Sequence, residues 1–189
     1  MNGLVLVVLA FALSTVANAG EVLRLKSGNV KPAEIERLWD VSVKTDLQRT
    51  FVIQFENHVT LEDHKNLTTL GAKILRYIPD DALVVSATAR IAKTIEQSSP
   101  NVTSVITFDP SWKIAPEIAP ASIFSADTTA VLLVRLFPGL SVQGERQVRE
   151  KIAGLSGIDV VESQERSMVV RAKRSALDSI ARVEMVEWI

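Results

Sequence analysis

Few residues of this 189-residue chain have the type and spacing to do covalent or metal chemistry. Its two histidines are His58 and His64. Zinc needs three or four ligands converging on one point, whereas Glu62, Asp63 and His64 are consecutive and would fan out around a helix. Asp80 and Asp81 form a carboxylate pair, but they lie between Ile78-Pro79 and an apolar run. There proline presets φ and aspartate accepts backbone hydrogen bonds, so the pair reads as turn formers. No serine sits in a Gly-x-Ser-x-Gly elbow, and cysteine is absent. No glycine-rich loop or convergent polar cluster offers a cofactor site. The expectation is a protein without catalytic, cofactor-binding or metal residues, hence not an enzyme. Asn66-Leu67-Thr68 and Asn101-Val102-Thr103 match the glycosylation acceptor pattern, but such matches are frequent by chance and neither is taken as modified.

Composition bounds the remaining classes. Hydrophobic residues make up 47% and charged residues 23% of the chain, enough apolar surface to fold as one large or two small cores. A formal charge of −1 leaves no clustered Lys/Arg footprint for nucleic acid. At the start, Leu4 to Leu13 are apolar and Ala17-Asn18-Ala19 precede Gly20 in a small-x-small pattern. This predicts a signal peptide over 1–19 cleaved after Ala19, although no Lys or Arg precedes the apolar run. The run is too short to span a bilayer, which takes about 20 residues. The expected product is secreted or periplasmic, with no membrane association after cleavage.

Stepping along the chain gives the elements that must position any site. Residues 20–49 form a lead-in, with a short strand and a turn at Ser27-Gly28-Asn29, assigned to neither of the units that follow. A first unit over 50–109 and a second over 129–189 each read strand-helix-strand-strand-helix-strand, separated by a Pro-containing linker over 110–128. In the first, Thr60 caps a helix with an inward stripe of Leu61, Leu67 and Leu70, ended by Gly71. Strands 72–78 and 82–87 flank Pro79-Asp80-Asp81, and a helix over 89–98 buries Ile91, Ala92 and Ile95 before strand 102–108. In the second, strand 130–137 leads to Ser141, a cap for a helix with Val148, Ile152 and Leu155 inward, ended by Gly157. Glu145 and Arg149 pair at i, i+4 on its solvated face. Strands 158–164 and 167–172 flank Glu165-Arg166, Ser175 begins a helix burying Leu177, Ile180 and Ala181, and 185–189 is the last strand.

The fold class predicted is α+β: two tandem βαββαβ units of the ferredoxin-like kind, each an antiparallel sheet with both helices on one face. Runs such as "FVI" (51–53), "ALVV" (82–85), "AVLLV" (130–134) and "SMVV" (167–170) are apolar on consecutive positions, which predicts burial on both sheet faces. Something other than the two helices must then cover the second face of each sheet: the sister unit, or a partner protein.

Several segments together resemble the amino-terminal pro-region of secreted subtilisin-like serine proteases: "LKSGNVKP" (25–32), "TFVIQF" (50–55), "LGAKILRYIPDDALVVSA" (70–87), "VTSVITFDPSWKIAPEI" (102–118) and the closing "ARVEMVEWI" (181–189). The resemblance covers about residues 22–189. It implies an inhibitor and folding template whose sheet packs on two surface helices of the protease while an extended tail enters the substrate cleft by strand-like main-chain bonding. The sequence contains no Asp-Thr-Gly or Asp-Ser-Gly, no His-Gly and no Gly-Thr-Ser, the motifs that would carry a protease triad. The expectation is therefore a propeptide-like protein acting in trans on a subtilisin-like protease, as inhibitor or folding chaperone. Its alternatives are a remnant of a truncated precursor, or a structural or adaptor module of the cell envelope, as a monomer or homodimer. Two segments are candidates for protease binding: Trp112, Lys113 and Ile114 on a linker expected to be extended, and Val186, Glu187, Trp188 and Ile189. The competing expectations are a plain spacer for the first and completion of the sheet for the second.

Overall fold

The computed structural model describes residues 22–31, 46–118 and 128–189. Residues 1–19, expected from sequence to be a signal peptide, and parts of the lead-in and linker lie outside the described residues. The fold is mixed α+β, with four α-helices among the described residues and antiparallel sheets.

A two-stranded hairpin comes first, β1 (Leu23–Leu25) and β2 (Gly28–Val30), turning on Lys26-Ser27. The first four-stranded sheet contains β3 (Arg49–Phe55), β4 (Lys73–Ile78), β5 (Ala82–Ala87) and β6 (Val102–Thr107) in the order β4-β5-β3-β6. Between β3 and β4 runs α1 (Leu61–Thr69), whose N-terminus is a capping box: Thr60 accepts from the Asp63 N–H while the Asp63 carboxylate accepts from the Thr60 N–H. Gly71, at φ +93°, takes the left-handed turn that lets the chain leave α1 for β4. The β4–β5 turn places both Asp80 and Asp81 at positive φ, which short polar side chains tolerate. Between β5 and β6 lies α2 (Ala89–Ser98), capped by Thr88.

The second sheet is built in the same sequence of elements: β7 (Thr129–Leu136), α3 (Val142–Ala153), β8 (Ile158–Gln164), β9 (Ser167–Lys173), α4 (Leu177–Ala181) and β10 (Val186–Trp188), in the order β10-β7-β9-β8. Counting strands within each unit, both sheets have the order fourth-first-third-second, with every neighbour antiparallel.

Each pair of helices shares one core with one face of its sheet. Phe51, Ile53 and Phe55 of β3 pack with Leu67 of α1 and Ala92 and Ile95 of α2. Leu132, Val134 and Leu136 of β7 pack with Ile152 of α3 and Leu177, Ile180 and Ala181 of α4. The opposite faces differ. In the first sheet Val52, Leu75, Ala82, Val84 and Ile106 are buried there as well, under Leu23 of the β1–β2 hairpin, Phe108 and, from the second unit, Phe137. Burial of each of these Val, Leu, Ile and Phe side chains contributes about 1.5–3 kcal/mol, and Leu23 makes the hairpin part of the first unit's packing.

In the second sheet β7 alternates, with Leu132, Val134 and Leu136 buried and Val131, Leu133 and Arg135 exposed, and β9 follows suit. Two-sided burial thus holds for β3 and β5 but not for β7 and β9. The "AVLLV" and "SMVV" runs are contiguous in hydropathy, yet one half of each faces solvent.

Smaller corrections have local causes. Leu61 is 74% exposed because it occupies the first turn of α1, ahead of the core-facing stripe at Leu67 and Leu70. Helix α3 ends at Ala153 with Gly154 as its cap, and Gly157 takes its positive φ in the next turn. Ser175 is inside a 3-10 turn (Arg174–Ala176) that precedes α4, and it caps nothing. The linker is not extended through Pro110: Asp109 caps a 3-10 turn over Pro110–Lys113. Glu145 and Arg149 do pair, at 2.9 Å, but half-buried against β8 and not on a solvated face, Arg149 also donating to the Gln164 carbonyl. Among the described residues no helix is long and apolar enough to cross a membrane.

Candidate functional site

The seven residues proposed from sequence for protease binding, far apart in the chain, come together where the two units meet. Lys113, Ile114 and Ala115 run beside the chain leaving β10: the Ile189 N–H donates to the Lys113 carbonyl at 2.7 Å and the Ala115 N–H donates to the Ile189 carbonyl at 3.0 Å. Ile114 packs on the second core with Val186 and Ile189, while Trp112 packs on the outer face of the first sheet. Lys113 is 2% exposed, its ammonium donating to the Val183 carbonyl at 3.0 Å. Burial lowers its pKa from 10.5 to about 8, with Glu184 and Asp109 acting in the opposite direction. These segments are therefore bonded to each other and to the body of the protein, and neither is a free strand.

Contacts between the units continue on both sides of this seam. The Thr50 N–H donates to a Glu184 carboxylate oxygen at 3.0 Å and its hydroxyl donates to the Glu184 carbonyl at 3.1 Å. The Lys73 ammonium donates to the Gly139 carbonyl, and Arg76 forms an ion pair with Glu187. Glu187 is nearly buried and is also approached by Arg166 at 3.9 Å.

A cleft of about 110 Å³ opens at the seam. Its floor is apolar: Phe108 meets Trp112 edge-to-face at 5.6 Å and Phe137 at 5.9 Å, with Val84 and Ile78 beside them. Its charged lining is Arg24, Lys26 and Arg76 with one carboxylate, Glu187. Arg24 is 3.5 Å from Asp80 and Arg76 is held by Glu187, while the Lys26 ammonium lies 5.3 Å from the centre of the Trp188 ring. Burial first, then the charges of Arg76 and Arg135, lowers the Lys26 pKa.

Beyond the mouth lies the helix-free face of the second sheet. Arg135 pairs with Trp188 across β7–β10, and on the same face of β7 follow Leu133, 53% exposed, and Val131, 64% exposed. Leu133 is paired with Val169, which is paired in turn with Glu162, and Val131 with Arg171, which bonds Asp159 at 3.0 Å. The surface is a short apolar stripe inside a frame of charges.

The residues screened for chemistry lie elsewhere. His64 is half-buried on α1, and among the described residues no three His, Cys, Asp or Glu side chains gather as a metal site. His58 Nδ1 is 2.9 Å from Asp81 Oδ1, and this hydrogen bond, reinforced by the carboxylate's charge, raises the His58 pKa. The pairing contributes fully below the ordinary histidine value and fades as pH rises through the raised one. Asp81→Asn, which tolerates the φ of 55° at that position, is expected to bring the His58 titration midpoint down toward 6.5, as read by NMR of its ring protons. An unmoved midpoint would show that Asp81 is not the cause.

Sequence reasoning did not find Lys26, Arg76, Arg135 or the Val131–Leu133 stripe. The alternation Val131-Leu133-Arg135 against Leu132-Val134-Leu136 was the available signal, masked because both halves are apolar over most of its length.

A family model described as a domain of unknown function (DUF8729) matches residues 24–109. That span takes in most of the β1–β2 hairpin and the whole first sheet with its helices. Comparison with curated proteins returned no match, and comparison with solved structures returned none either.

Proposed function

We propose that the protein is an exported, non-enzymatic, propeptide-like module that binds a subtilisin-like serine protease through the helix-free face of its second sheet. The shared strand order of the two sheets supports reading them as ferredoxin-like βαββαβ copies, and the segments quoted from 25 to 189 support the protease pro-region likeness. One observation carries the docking surface: Val131 and Leu133 stand exposed side by side on a sheet face that, among the described residues, no helix or hairpin covers. An apolar stripe framed by charges is the composition of an interface core with a polar rim. The occupant the resemblance implies is a pair of surface helices of the protease. Because Val186 and Trp188 pair with β7 and Ile189 is bonded to Lys113 and Ala115, the reading favours face docking that assists folding over insertion of a tail into the cleft.

Refolding yield and peptide hydrolysis of a panel of subtilisin-like proteases, with and without the protein, test this. The expected result is a gain in refolding yield together with a complex on gel filtration. Leu133→Asp, which places a charge in the stripe, should weaken that complex at least about tenfold. Absence of any complex or gain across the panel would overturn the proposal.

The tied-down 186–189 segment also suits the adaptor alternative, in which the same face meets a non-protease partner of the cell envelope. That reading expects a stable monomer or homodimer indifferent to every protease tested.

A further inference from the structure

We propose that the cleft at the seam is a carboxylate-recognition site, taking a branched apolar group of leucine size on its floor and the attached carboxylate at Lys26. This goes beyond protease docking and does not depend on it.

Three observations meet here. The first is size: about 110 Å³ is somewhat less than the roughly 150 Å³ apolar cavity that accepts benzene, so the floor has room for one branched side chain or small ring, the rest of a ligand lying outside. The second is the floor, where the edges and faces of Phe108, Trp112 and Phe137 supply apolar contact, the one carboxylate among the lining residues, Glu187, being paired with Arg76. The third is charge. Arg24 and Arg76 each have a carboxylate partner, but among the described residues Lys26 has none and rests on the Trp188 face. Arg135 stands close enough to repel it.

A monoanion at the mouth would supply the missing counter-charge, and an anion with an apolar tail would occupy the floor in the same act. Burial and its cationic neighbours disfavour the Lys26 ammonium, and a bound carboxylate would relieve that. Of the two guanidinium groups at the mouth, Arg76 is already paired with Glu187, which leaves a phosphoryl group fewer bidentate partners there. The carboxylate could belong to a free branched-chain acid or to the last residue of a peptide chain.

Calorimetric titration of the intact protein, without any protease, tests the site. The probes are 4-methylpentanoate, N-acetylleucine, N-acetylleucinamide and the peptide Ala-Ala-Ala-Leu with a free carboxyl end. Both small acids should bind, and the amide at least about tenfold more weakly, the loss expected for a charge-assisted contact. A peptide tighter than N-acetylleucine would identify chain ends as the source, and equal affinity would identify the free acid. Lys26→Met keeps the apolar stem and should erase the preference of acid over amide, while Lys26→Arg should retain it. Tryptophan emission, from Trp188 and Trp112 at the cleft, should change with the acids. Equal binding of acid and amide, a preference that survives Lys26→Met, or no binding by any probe would overturn the proposal.

Discussion

Phe137→Ala is expected to lower the unfolding free energy by about 3–5 kcal/mol, the usual cost of emptying a buried aromatic site. Phe137 follows β7 of the second unit, yet its ring lies in the outer core of the first sheet, 1% exposed and 5.9 Å from Phe108. The residue is thus a peg from one unit set into the other. Its N–H donates to the Met185 carbonyl at 3.0 Å, which keeps the peg anchored at its base. Removal should leave each helix-facing core intact, because neither contains Phe137. The calorimetric signature expected is a single thermal transition in the unaltered protein that separates into two in the variant, one per sheet. A loss below about 1 kcal/mol, or one transition in both proteins, would show that the units are coupled by something else.

Lys113 makes the second large prediction. Its ammonium is buried with one carbonyl partner, and burial lowers its pKa to about 8 from 10.5. Below pH 8 the group is charged in both the folded and unfolded states, so the full cost of burying the charge is present. Between about 8 and 10.5 the folded protein releases the proton while the unfolded chain keeps it. The unfolded state then binds more protons, and stability rises with pH. Above 10.5 both forms are neutral and the cost is gone. The span corresponds to about 3 kcal/mol. Urea unfolding of the protein and of Lys113→Met across pH 7 to 11 isolates this residue from other titrations. The unaltered protein should gain on the variant by that amount, and a difference independent of pH would refute the assignment.

Much of the architecture was legible in the sequence because the local signals agree with the tertiary ones. Thr60 and Ser141 cap the helices they were expected to cap, Gly71 ends α1, and the bounds 82–87, 89–98 and 158–164 were read without error. The failures share a cause. Val131 and Leu133 are as apolar as Leu132 and Val134, so hydropathy could not say which pair faces water. That depends on what covers the sheet, a property of residues far away in the chain. Similarly, Trp112 and Lys113 sit among prolines that suggest an extended spacer. Trp112 is half-buried against the outer core of the first sheet, and Lys113 is buried by bonds to Ile189 and Val183, at least about 70 residues on, which no local pattern encodes. The seven candidate site residues were brought together at one seam, but the cations that give its cleft a chemical character, Lys26 and Arg76, came from segments read only as a turn and a strand.

The unequal covering of the two sheets has a consequence for how the molecule can change over generations. In β3 nearly every side chain is confined between two packed layers, so almost any replacement there threatens the scaffold. On β7 every second position answers to solvent alone. Drift can rewrite that surface while the sheltered copy holds the shape constant.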